Sequence, residues 1–155
     1  MKGNAKVIEH LNARLAEELA AINQYFLHGE MCENWKYGSL HEVIKARSIQ
    51  EMRHAEALIE RILFLEGKPI INKLGPMSIG DKVEKIHKAD HAAEADAIKK
   101  YNESIRVAAE AGDNGTKELL ESILKDEEDH IDWIEAQFDQ IEQVGIQNYL
   151  GEKMS

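Results

Sequence analysis

EMRHAEALIERILFLEG, residues 51–67, carries Leu58, Ile62 and Leu65 four and three residues apart, the spacing of one face of an amphipathic helix. Followed backward, the same face reaches His54 and Glu51, one turn apart. A glutamate and a histidine at the head of an otherwise apolar stripe are expensive to bury unless something neutralises them.

Gly67 ends this stretch and opens GKPIINKLGPMSIGD, residues 67–81, which holds both prolines of the chain, Pro69 and Pro76, and three glycines. It is the one long connection. Everything around it is periodic. Two helices are expected before it, over about 5–34 and 40–66, separated by WKYGS, where Gly38 breaks the chain and Ser39 offers an N-cap. Two more are expected after it, over about 81–111 and 116–144, separated by GDNG. Short links make each pair an antiparallel hairpin, and one long crossover joins the hairpins into an all-α, antiparallel four-helix bundle of rods near ~40–45 Å long. A short fifth helix over about 146–151 would carry Ile146, Tyr149 and Leu150, apolar residues that need a surface to cover and would find one in an oligomer.

The 155 residues fit one domain with a single core and need no disulfide; the lone Cys32 can form none within the chain. The charged, periodic start MKGNAKVIEHLNARL does not resemble a signal peptide, and no apolar window reaches the length of a membrane span, so a cytoplasmic protein without a membrane partner is expected. With 29 acidic against 19 basic residues and a formal charge of -10, nucleic acid is not an expected partner.

Each helix places a metal-capable side chain on its inner face. The first gives Leu11, Leu15, Glu18, Ile22 and Tyr25 at alternating spacings of four and three, with Glu18 where packing wants an apolar residue and Glu17 off the line. The second gives Glu51 and His54. The third runs His87, Asp90, Glu94, Ala97, Tyr101, Ile105 and Ala108, with Glu94 near mid-length. The fourth runs Leu120, Ile123, Glu127, His130, Ile134 and Ile141, repeating the Glu-x-x-His pair. Any one of these is unremarkable as a salt-bridged structural residue. Four carboxylates converging in a bundle core with at most two imidazolium charges are not, and two divalent cations would balance them. One glutamate from each of two helices plus Glu-x-x-His from each of the other two is the ligand set of carboxylate-bridged two-metal bundles. Oxygen donors with one imidazole per ion suit iron or manganese, with zinc and cobalt able to take the same donors, and no thiolate is offered, Cys32 lying off the Glu18 stripe. Glu51 and Glu127 are the natural bridges, with Glu18 and His54 terminal to one metal and Glu94 and His130 to the other.

From MKG through LNARLAEELAAINQYFLH, EMRHAEALIERILFLEG and DEEDHIDWIE to VGIQNYL, the chain resembles the bacterioferritins over nearly its whole length. Glu18, Glu51, His54, Glu94, Glu127 and His130 match that family's dinuclear ferroxidase ligands, and Tyr25 matches a supporting tyrosine beside the site. The resemblance implies a ferritin-like fold and a cytoplasmic shell of 24 chains that stores ferric mineral. Dioxygen or hydrogen peroxide would oxidise the Fe(II), and the fifth helix would pack about a symmetry axis. It implies a b-type haem at the two-fold interface, held by one methionine from each subunit; the matching residue is Met52, one step from Glu51 and so about 100° round the helix from the inner stripe. It also implies an associated ferredoxin that delivers electrons for iron release. Where several members carry a histidine and an aspartate as an extra iron position on the inner surface, this chain has Ala46 and Gln50, neither of which replaces an imidazole or carboxylate ligand.

Two rival readings fit less well. A rubrerythrin-like peroxidase usually adds a Cys-x-x-Cys module that one cysteine cannot build, and an oxygenase needs a larger chain to frame its substrate. A DNA-protecting cage of the mini-ferritin kind places its ligands at a subunit interface, whereas here all six fall in one chain's core phase.

Overall fold

Asn4 starts the regular structure. In the computed structural model, which describes residues 1–155, its side-chain oxygen accepts hydrogen bonds from the backbone N–H groups of Lys6 and Val7 at 2.9 and 3.1 Å, satisfying two donors that a helix start leaves free. Helix α1 runs over Ala5–Asn34, α2 over Gly38–Phe64, α3 over Val83–Glu110, α4 over Asn114–Val144, and the short α5 over Ile146–Glu152. Asp113 caps α4 by accepting from the N–H of Thr116 at 3.0 Å, so this helix begins ahead of the expected residue 116.

Ser39 does not cap α2. The helix begins at Gly38 with no side-chain cap bond, while the N–H and hydroxyl of Ser39 donate to the Lys153 carbonyl at 3.3 and 3.2 Å. A carbonyl at the end of α5 is itself without a helical partner, and it accepts from both donors of Ser39, whose oxygen makes no cap bond to α2.

Contacts across the bundle fix its directions. Glu18 meets Tyr101 while Gln24 meets Asp90, so α1 and α3 are antiparallel. Arg61 meets Asp113 while His54 meets Asp126, so α2 and α4 are antiparallel too. The crossover between α2 and α3 lies along α1: Gly75 N–H donates to the Ala16 carbonyl at 2.9 Å, Ser78 N–H to Gln24 Oε1 at 3.1 Å and Gly80 N–H to His28 Nε2 at 3.0 Å. Only glycine fits at position 80, where a Cβ would stand 2.3 Å from the backbone nitrogen of Ile86.

The fifth helix finds much of its surface within its own chain rather than needing a neighbour for all of it. Tyr149 is buried; its hydroxyl donates to Gln137 Oε1 at 2.7 Å and accepts from His87 Nε2 at 3.0 Å. Burial pushes His87 down to about 4, so the ring is neutral near pH 7, consistent with one N–H donated to Tyr149.

Apolar packing falls into two layers. Leu11, Leu15, Leu58, Ile62 and Leu120 anchor one, and Leu40, Ile44, Ile86 and Tyr149 anchor the other, each aliphatic side chain contributing about 1.5–3 kcal/mol on burial. Cys32 lies in the second layer, where burial and then Asp90 push its thiol up to about 12. No helix is long and apolar enough to cross a membrane.

Candidate metal centre

Between the two apolar layers α1 supplies Glu18, α2 Glu51 and His54, α3 Glu94, and α4 Glu127 and His130, and none of the six is more than 8% exposed. Their donor atoms form two overlapping clusters. Glu18, Glu51, His54 and Glu127 make one; Glu51, Glu94, Glu127 and His130 make the other, and within each the atoms lie within 4.8 Å of one another. Glu51 and Glu127 belong to both.

Both imidazoles turn Nδ1 toward the carboxylates. His54 Nδ1 stands 3.2 Å from Glu127 Oε1, 3.5 Å from Glu18 Oε2 and 3.7 Å from Glu51 Oε2. His130 Nδ1 stands 3.2 Å from Glu51 Oε1, 3.3 Å from Glu94 Oε1 and 3.8 Å from Glu127 Oε1. The far nitrogens are held from outside: His54 Nε2 by Asp126 Oδ2 at 2.8 Å and His130 Nε2 by Gln50 Oε1 at 2.5 Å.

Two buried tyrosines orient Glu18 and Glu94. Tyr101 donates to Glu18 Oε1 at 2.5 Å, and Tyr25 donates to Glu94 Oε1. Burial first, and then the Glu94 charge at Tyr25 and the Glu18 charge at Tyr101, push both phenols well above their usual range, so they remain protonated donors. Each occupies one oxygen of its carboxylate. The second oxygens, Glu18 Oε2 and Glu94 Oε2, are buried with no hydrogen-bond partner, as are Glu51 Oε1, Glu127 Oε1 and His54 Nδ1. Buried polar atoms without partners are rare in folded proteins, and here five of them share one small volume.

The carboxyls differ in charge state accordingly. Burial and then the neighbouring glutamates push Glu51 and Glu127 well up. Burial pushes Glu94 the same way, but hydrogen bonds from His130 and others outweigh it and hold the group low. Burial opposes the His54 cation, yet Glu127, Glu18 and Glu51 win and raise it far above its ordinary 6.5. Glutamates held high when folded bind protons that the unfolded chain has released, so stability falls as pH rises from about 4.5. The His54 contribution has the same sign: present below 6.5, it is lost as pH rises through the folded value. The melting temperature of chelator-stripped protein is therefore expected to fall by several degrees between about pH 5 and pH 8, and a divalent cation added at pH 8 to restore it; scanning calorimetry with and without the cation checks both.

A cavity of about 370 Å³ opens onto this cluster between α1, α3 and the crossover, with Glu18, Glu51, Glu127, Tyr25 and Tyr101 in its lining. Lys100, also in the lining, pairs with Glu17 at 2.6 Å and Asp96 at 3.0 Å.

The Ferritin-like domain family matches residues 8–144. A bacterioferritin of Rhodobacter capsulatus is 44% identical over 96% of this chain and 92% of its own length. One from Brucella melitensis is 42% identical over the same shares, and one from Mycolicibacterium paratuberculosis 39% identical over 100% and 98%. The chain belongs to the bacterioferritin family.

Of the bacterioferritin residues expected from the sequence, the six Glu and His side chains meet at one place and Tyr25 lies against Glu94. Met52 points elsewhere, 55% exposed. Ala46 is exposed, whereas Gln50 reaches His130. Arg47 is buried, pairing with Asp90 at 3.3 Å and lying 5.2 Å from the ring centroids of both Tyr25 and Trp133, while Lys45 faces outward. Tyr101, Asp126 and Gln50 were not assigned to the site from sequence. The signal that finds two of them is positional: Gln50 directly precedes Glu51 as Asp126 directly precedes Glu127.

Proposed function

We propose that this bacterioferritin is a ferroxidase that stores iron, and that Glu18, Glu51, His54, Glu94, Glu127 and His130 receive two Fe(II) ions as substrate. The observation that carries the reading is the group of buried donor atoms with no hydrogen-bond partner, shared among Glu18, Glu51, His54, Glu94 and Glu127. Protein groups leave them unsatisfied, and the donor set, carboxylate oxygens with one imidazole per position, suits ferrous and ferric iron. Glu51 and Glu127, common to both clusters, would be shared by the two ions, and Glu18 with His54, and Glu94 with His130, would each serve one of them.

Tyr101 and Tyr25 hold one oxygen each of Glu18 and Glu94 and leave the other for iron. Entry of the cations displaces protons from Glu51 and Glu127, whose carboxyls are held high without metal. One electron from each of two Fe(II) reduces dioxygen, with two protons, to hydrogen peroxide; with peroxide as oxidant the same two electrons and two protons give two waters. Pairing the electrons avoids releasing a one-electron radical. The Fe(III) product is cargo, mineralised inside a shell of 24 such chains.

Met52 is the proposed axial ligand of a b-type haem shared between two subunits. Its exposed thioether, with exposed Ile49 one turn before it on α2, suits an apolar group bound on the outer face of the bundle. Bound there, the haem would supply a one-electron relay for reductive iron release, fed by an associated ferredoxin.

Aerobic loading with excess Fe(II), followed by size separation and metal analysis, tests the reading. Hundreds of irons co-eluting with a very large particle are expected. Retention of only about two per chain would instead make this a diiron oxidase or peroxidase that turns over without storing iron.

A further inference from the structure

The two halves of the metal cluster mirror one another, and one residue pair breaks the mirror. Tyr101 serves Glu18 as Tyr25 serves Glu94. The residue before each shared glutamate crosses the α2/α4 interface to the opposite histidine: Asp126 to His54 Nε2 at 2.8 Å, Gln50 to His130 Nε2 at 2.5 Å. A cation on Nδ1 of either ring leaves the ring's proton on Nε2. At His54 that proton is given to a carboxylate; at His130 it is given to a neutral amide oxygen.

The difference matters because a carboxylate acceptor draws the imidazole proton more strongly and makes the other nitrogen a better metal donor. The nearby Arg47 guanidinium, 5.2 Å from the ring centroid of Tyr25, is paired with the buried Asp90 at 3.3 Å and is not turned onto either metal position. Asp129 lines the same cleft as Gln50 and His130, but it is exposed and pairs with Lys125 at 3.6 Å.

We infer that Asp126 and Gln50 rank the two metal positions: the Glu18/His54 position binds a divalent cation more tightly, and Gln50 keeps the Glu94/His130 position weak. The inference rests on the dinuclear reading above. Both are positioning residues that act through the histidines. Loss of such outer partners typically changes metal affinity about 10–100-fold, and because the Asp126 side chain is 36% exposed the expected separation is at the lower end, about tenfold.

The test is titration of the full, metal-stripped protein with Co(II), following its visible absorption alongside equilibrium dialysis. Two equivalents per chain are expected in two steps with dissociation constants about tenfold apart. Asp126→Asn should weaken the first step and leave the second in place. Gln50→Glu should tighten the second and leave the first. A purely structural effect would move both steps together. Two equivalents filling with one constant, or variants that leave the separation unchanged, overturn the inference while the dinuclear reading stands. Failure to bind two equivalents overturns that reading, and the inference falls with it.

Discussion

Glu18→Ala combined with Glu127→Ala is expected to lower the initial rate of Fe(II) oxidation by more than about 100-fold while particle size is unchanged. Changes to the outer partners of metal ligands alone cost up to that much affinity, and this variant removes a terminal donor and a shared donor from one cluster. Structural damage should be limited. The substitutions leave the Tyr101 hydroxyl without its acceptor, worth about 1–3 kcal/mol, but they also remove two of four crowded buried carboxylates. Neither Glu18 nor Glu127 lies on the exterior, so contacts between chains are untouched directly. Stopped-flow absorbance during aerobic Fe(II) addition, with size-exclusion chromatography of the same sample, separates the two effects. An unchanged initial rate would place oxidation at some other site.

The inner face of each helix was legible because helical periodicity is a local property. Glu18 and Glu127 sit in phase with leucines and isoleucines three and four residues away, and Glu51 and Glu94 with Leu58 and Tyr101 seven residues on, and that alone turns them inward. What lies across the bundle from each was not legible, because it depends on how far one helix slides along another. Tyr101 was visible on the α3 stripe, but its partner Glu18 is 83 residues away and is fixed by the α1/α3 register. Asp126 and Gln50 were missed for the same reason: their partners are set by the α2/α4 register, over separations of 72 and 80 residues. Ser39 illustrates competition instead. Its local context favours a cap, in which its oxygen would accept, but the Lys153 carbonyl arrives from the far end of the chain and draws the serine toward it by accepting from its N–H and hydroxyl. Arg47 shows how a basic residue can sit beside a cation site: its charge is turned onto Asp90 and two aromatic rings rather than onto the carboxylates.

Met52→Leu is expected to reduce bound haem from about one per two chains to near zero while leaving Fe(II) oxidation at its original initial rate. Glu51 and Met52 are adjacent in sequence yet differ from 1% to 55% in exposure, because one step along a helix turns about 100°. The same segment therefore turns one side chain into the bundle interior and the next onto its surface. In the proposed haem site an isologous two-fold contact would bring the same residue from both subunits together, so one methionine per chain would supply both protein ligands. Leucine keeps the volume and apolar character of that surface but has no donor atom, so the substitution removes ligation with little change in packing. Haem content read from its absorbance per protein, together with oxidation kinetics on the same preparation, makes the two functions separable. Full haem occupancy in the variant would move the axial ligand to another residue. A slowed oxidation with haem lost would mean that the metal cluster and the proposed haem site are coupled through α2, the helix that would carry both.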